Sequence, residues 1–153
     1  MMQDILFYSH YAIAVLIAVY AITAFIMDAR LAKTGIDSPG YLKLNQSFFR
    51  IHRITLYLGV ITFLIGGKMG TLFFMSGSVW IYLKLFLFIV YFGLMSALGT
   101  KAFKLRKQAA ENPEQMMGNL HIAAKKMKIF KYSQAIIVVL LYLIAYIKPF
   151  GYV

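Results

Sequence analysis

Four apolar runs, roughly Ile5 to Met27, Phe48 to Gly67, Val79 to Thr100 and Tyr132 to Ile147, take up most of this 153-residue chain. Each is near the ~20 residues that a helix needs to cross the hydrocarbon core of a bilayer. A backbone inside that core has no water to bond to, so segments of this kind fold as helices that satisfy their own N–H and C=O groups. The sequence therefore predicts an all-α integral membrane protein. Four spans joined by short outer and longer inner connections make an antiparallel four-transmembrane-helix bundle, with residues 1–153 as one membrane domain. A hydrophobic fraction of 61% leaves too little polar surface for four helices in water.

Charge gives the runs a direction. Of 16 Lys and Arg residues, all but Lys68, Lys84 and Lys148 fall in two connecting segments. Arg30, Lys33, Lys43, Arg50 and Arg53 lie between Asp28 and Arg53; Lys101, Lys104, Arg106, Lys107, Lys125, Lys126, Lys128 and Lys131 lie in the second. Basic residues beside apolar spans follow the positive-inside rule, which accounts for the net charge of +11 without nucleic acid. The expected location is a bacterial cytoplasmic (inner) membrane, multi-pass, with both termini outside and both basic segments cytoplasmic. The first run lacks a basic leader and a small-residue cleavage site, and is read as a retained span rather than a signal peptide. The absence of cysteine excludes disulfides, thiolate metal sites and haem attached through cysteine.

Between the spans, Asp37-Ser38-Pro39-Gly40 reads as a turn. The second run is expected to be interrupted at Gly66-Gly67-Lys68. The third opens on Trp80 and Tyr82 as an interfacial anchor and continues into Lys101, Lys104 and Arg106. Asn112-Pro113-Glu114-Gln115 has the form of a helix start, with Asn112 as N-cap. From there Met116, Leu120, Ala123, Ala124, Met127 and Phe130 recur at helical spacing with lysines opposite, which predicts a cytoplasmic amphipathic helix before the last span and continuous with it.

Polar groups inside spans are costly and so point to function. His10 lies as deep in the first run as Lys84 does in the third, both counted from the outward face. Tyr8, Tyr11, Tyr82 and Tyr146 bring hydroxyls to the same layer, and Lys68 and Lys148 mark its outer edge. An imidazole suits iron or copper, and an ammonium suits a carboxylate or propionate, so His10 is the candidate metal ligand, and Lys84, Tyr11 and Trp80 complete a candidate cofactor-binding set. The bland alternative is Lys84 reaching the headgroups and His10 making an interhelical hydrogen bond. His52, flanked by Arg50 and Arg53, reads as an interfacial side chain near the opposite face, and His121 as solvated. The carboxylates Asp4 and Asp28 lie at opposite ends of the first run, too far apart for paired-acid catalysis. Gly93, Ser96, Ala97, Gly99 and Thr100 form a small-residue pattern suited to close packing or to a flat wall beside a planar ligand.

With Tyr8-Ser9-His10 near the start of the first run, Arg30-Leu31 at its inner end, Trp80-Ile-Tyr-Leu-Lys84-Leu opening the third and a terminal Lys148-Pro149-Phe150, the chain resembles small four-span bacterial membrane proteins of the HemJ type of protoporphyrinogen oxidase and, more distantly, the CopD copper-resistance domain. It differs from the HemJ type at Phe7, Tyr91-Phe92 and Ser133-Gln134. The resemblance implies haem b or a related tetrapyrrole held by His10 with Lys84 as basic partner, a membrane oxidoreductase activity and a quinone as electron acceptor. Two other classes stay open. One is a non-enzymatic subunit or assembly factor that meets a homo-oligomeric or membrane-complex partner. The other is a copper- or ion-handling protein using methionines such as Met69 and Met75 as soft ligands.

Overall fold

A computed structural model describes the backbone of residues 2–75 and 79–147 and the side chains of residues 4–69 and 79–147. The elements are helix α1 (Met2–Thr34), α2 (Tyr41–Met75), α3 (Val79–Leu94), a π-helical turn (Met95–Thr100), α4 (Lys101–Glu111), a 3-10 turn (Pro113–Gln115) and α5 (Met116–Ile147). Among the described residues no strand occurs. Among the described residues four stretches are long and apolar enough to cross a membrane: Asp4–Thr34, Tyr41–Met69, Val79–Glu111 and Pro113–Ile147. All four run longer than their apolar cores, because the polar flanks continue the same helix.

The turns have local causes. Gly35, at φ 70°, adopts the left-handed conformation that ends a helix, and α1 stops one residue earlier. Ser38 then accepts from Tyr41 N at 3.0 Å, and Gly40 accepts from Leu44 N at 3.0 Å, starting α2. Asn112 is extended (φ −127°, ψ 93°) and Pro113 follows at the first position of the next turn, as expected, but the Asn112 side chain makes no capping bond. The interruption expected at Gly66-Gly67 does not occur: α2 runs through both glycines to Met75. Hydrocarbon offers no competing partner for the backbone, so glycine breaks a helix less readily there than in water. The amphipathic segment and the last span form one unbroken helix, α5, as expected.

Contacts between helices fix their directions. Tyr20 on α1 meets His52 on α2, and His10 meets Gly66, so residue numbers fall along one helix as they rise along the other. Phe63 stacks with Phe88, and Asn45 bonds the Phe103 carbonyl, which gives the same relation between α2 and the α3–α4 rod. Asp28 and Phe25 meet Lys131 and Tyr132 on α5. The bundle is antiparallel, and it brings both basic segments to the same end.

The core is a thin seam. Along α1 it is made by Ile17, Tyr20, Ala21, Ala24, Met27 and Leu31, spaced to fall on one face. The other face carries Leu16, Val19, Ile22 and Ile26, all exposed. Only 17% to 28% of each apolar window is buried within the chain. Surfaces this apolar are covered by lipid or by another protein, not by water.

Candidate functional site

The inward face of α2 is polar for most of its length. Tyr41, Asn45, Phe48, His52, Thr55 and Thr62 are buried, at intervals of three, four or seven residues, and four of the six are Asn, His or Thr. Thr55 and Thr62 return their hydroxyls to the carbonyls of Ile51 and Leu58, one turn back. His52 lies on this stripe near the middle of the bundle, and His10 of α1 packs against it farther along, at Gly66.

His52 is fully enclosed, at 0% exposure, between Phe49, Phe103 and Phe130. Its Nε2 lies 3.1 Å from the Met95 carbonyl and 3.1 Å from Thr100 Oγ1, and its Nδ1 is bonded to the Tyr20 hydroxyl. A carbonyl can only accept, so Nε2 carries the proton; Nδ1 must then accept, and Tyr20 donates. The π turn supplies the other half of this arrangement. Met95, Gly99 and Thr100 all belong to it, and a Cβ on Gly99 would stand 2.5 Å from His52 Cε1. Turns of this type recur at functional and strained positions. With both ring nitrogens paired, His52 ties α1, α2 and the π turn together and offers no lone pair to a ligand. The sequence placed this residue at the interface because of its two arginine neighbours; they lie on other faces of α2 and are exposed.

His10 is held differently. Its ring packs onto α2 where Gly66 leaves room, since a Cβ there would lie 2.9 Å from Cε1. The Thr62 backbone carbonyl and the Lys84 ammonium are both close enough to act on it. Nδ1 is buried and, among the described residues, has no hydrogen-bond partner. Lys84 lies 5.4 Å from the centre of the Trp80 ring, a cation–π contact. The structure thus draws His10, Lys84 and Trp80 into one layer. Tyr11 is 61% exposed on the outer face of α1 and lies near Tyr142 of α5, so it points away from that group. Lys148, the loop around Ser76 and the Met75 side chain lie outside the described residues. Met69 is half-buried near the end of the Tyr41–Met69 stretch. His121 is exposed, as expected.

A third polar group joins three helices at the basic end. Asp28 of α1 accepts from Arg106 Nη2 on α4 and from Lys131 Nζ on α5. Lys131 also lies 5.3 Å over the Phe25 ring. This cluster escaped the sequence reading, because Asp28 and its two partners sit in basic stretches that hydropathy assigns to loops.

Other buried polar atoms lack partners among the described residues: the Tyr91 hydroxyl, Asn45 Oδ1, Arg106 Nη1 and both amide atoms of Gln134. The described residues contain no group of three His, Asp or Glu side chains arranged to hold a metal ion. A groove of about 210 Å³ lined by Val60, Phe63, Ile89 and Phe92 is wholly apolar and open to the bundle's surface. It is smaller than the ~300–1,000 Å³ of ordinary ligand pockets. No family model, no curated protein and no solved structure matches the chain.

Proposed function

We propose that the chain is a multi-pass protein of a bacterial cytoplasmic membrane whose His10–Lys84 layer binds haem or a related anionic tetrapyrrole. The basic end of the bundle faces the cytoplasm and the His10 end faces outward. The observation that carries this reading is the buried Nδ1 of His10, unpartnered among the described residues, beside the Lys84 ammonium. A neutral imidazole whose other edge faces a backbone carbonyl is the usual form of a metal-ligating histidine, because the carbonyl fixes the tautomer.

His10 would hold the iron through its ring, Lys84 would neutralise a propionate, and Trp80 would steady the ammonium through its ring. Gly66 lets the imidazole lie against α2, so that the ring is oriented before any ligand arrives. A haem bound there would supply one-electron redox chemistry. The helices around it exclude water, which strengthens the Lys84 charge toward an anion.

The test is an absorption spectrum of the protein purified in detergent. A Soret band that His10→Ala abolishes and Lys84→Gln weakens or shifts supports the reading; a colourless protein refutes it. The orientation is tested by single cysteines at Ser76 and Ser38, in a chain with none of its own. They should label from outside and inside respectively.

A second reading, a non-enzymatic subunit or assembly factor, is favoured by the closure of the other buried histidine. His52 has both ring nitrogens paired to neighbouring helices, which describes structural fastening rather than chemistry. A colourless protein that co-purifies with a membrane complex would establish it.

A further inference from the structure

The Asp28 cluster is unbalanced in charge. One carboxylate faces two cations, so the group carries a net positive charge where α1, α4 and α5 meet. Charges taken out of water are normally paired and hydrogen-bonded throughout. Here Arg106, whose side chain is only 7% exposed, uses Nη2 on Asp28 and leaves Nη1 buried without an acceptor among the described residues. Lys131 has three donors and makes one described bond to an acceptor, Asp28. Tyr41, itself buried, lies within electrostatic reach of both Asp28 and Arg106 and contributes no formal charge at neutral pH. The side chains of Asp28 and Lys131 are 18% and 17% exposed, so the cluster opens to its surroundings on that side.

We propose that this triad takes one phosphate oxyanion, supplied by the headgroup of an anionic phospholipid. A guanidinium fork matches phosphate geometry, and a neighbouring ammonium adds a second charge-assisted donor. The cluster sits at the end of the bundle that holds both basic segments, with Arg30, Lys33, Lys43, Lys104 and Lys107 exposed around it. Positively charged pockets between helices at the cytoplasmic level are where anionic headgroups bind. Asp28 serves to hold the two cations apart and aimed, so that an anion meets a fixed pair rather than two mobile chains. The inference is independent of whether His10 binds a tetrapyrrole.

The full-length protein, delipidated in a neutral detergent, is titrated with phosphatidylglycerol, phosphatidylcholine or inorganic phosphate and followed by native mass spectrometry and by melting temperature. The wild-type chain should retain one phosphatidylglycerol and melt higher with it, while phosphatidylcholine does neither. Arg106→Gln should weaken retention about tenfold, the loss of one charge-assisted bond. The double variant Lys104→Gln/Lys107→Gln, which removes two exposed charges near the cluster, should leave retention nearly unchanged. Should Arg106→Gln fail to fold, Lys131→Gln carries the same expectation from a partly exposed position. Equal stabilisation by inorganic phosphate supports the same chemistry with a free anion as its source. Equal retention of the two lipids by the wild type, or equal loss in the Lys104/Lys107 variant and Arg106→Gln, overturns the proposal.

Discussion

Replacing Gly99 by alanine adds one methyl group at the most tightly enclosed of the described glycines. The new Cβ would stand 2.5 Å from His52 Cε1, 3.1 Å from Nε2 and 3.2 Å from Phe130 Cζ. The imidazole cannot retreat, because Tyr20, Met95 and Thr100 hold its two nitrogens and three phenylalanine rings surround it. Overpacking of this kind costs about 1–3 kcal/mol. Pulling His52 off one buried partner adds about 1 kcal/mol. Alanine's better helix propensity returns about 1 kcal/mol. The net is a loss of about 2 kcal/mol, which for a chain of this size lowers the melting temperature by roughly 4–8 °C. Thermal unfolding in detergent, followed by far-ultraviolet circular dichroism, measures it. Gly93→Ala is the control, since nothing lies within 4 Å of its added Cβ, and it should melt at or above the wild-type temperature. Adding His52→Ala to Gly99→Ala should cost less than the two single losses combined, because the clash then has no partner. A Gly99→Ala protein that melts within about 2 °C of wild type would sink the argument that the π turn is built around His52.

Asp28→Asn leaves Arg106 and Lys131 facing each other, and since breaking a buried pair costs about 3–5 kcal/mol and Asp28 is partly exposed, a loss of about 2–3 kcal/mol is expected. Adding Lys131→Met should recover part of it in the same melting assay; no recovery would mean that Asp28 acts other than by neutralising the pair. Gln134→Leu should stabilise the bundle by about 1 kcal/mol, because both amide atoms are buried at 0% exposure without partners among the described residues. A lower melting temperature would instead reveal an acceptor or donor on Gln134. Gly66→Ala should change stability by less than about 1 kcal/mol, as half-buried His10 can swing clear. On the tetrapyrrole reading it should nonetheless weaken the Soret band, short of the loss in His10→Ala, and an undisturbed band would separate the ring's seat from its ligand role.

The spans were legible because hydropathy over about 20 residues reports the solvent of a helix directly. The inward face was harder to read, since α2 turns polar residues inward and apolar ones to the surface, the reverse of a soluble helix. The spacing of Asn45, His52, Thr55 and Thr62 carried that information, yet Arg50 and Arg53 drew attention to depth instead of to phase. The π turn had a weaker trace: Tyr91, Met95 and Gly99 are buried at intervals of four, which drifts off a straight α-helical face. The meeting of His10 and Lys84 in one layer followed from counting residues inward from the outer ends of two runs. Tyr11 failed that count because adjacent residues are about 100° apart around a helix, so sharing a depth with His10 does not mean sharing a face.

Depth also separates what the two histidines can do. Their positions on α2, at Gly66 and at His52 itself, are about 21 Å apart along the axis at 1.5 Å per residue, so no single iron or copper ion can join them. Each histidine must be read with its own neighbours. At His52 each ring nitrogen has a partner from another element, and removing the Tyr20 hydroxyl would leave the buried Nδ1 bare. At His10 one nitrogen has no partner among the described residues, and the charge acting on the ring is a cation, which suits an anionic ligand. A buried polar atom without a partner is uncommon and calls for an explanation. On the tetrapyrrole reading the ligand is what His10 lacks, and a colourless His52→Gln protein would have to be explained through lost packing instead of lost ligation.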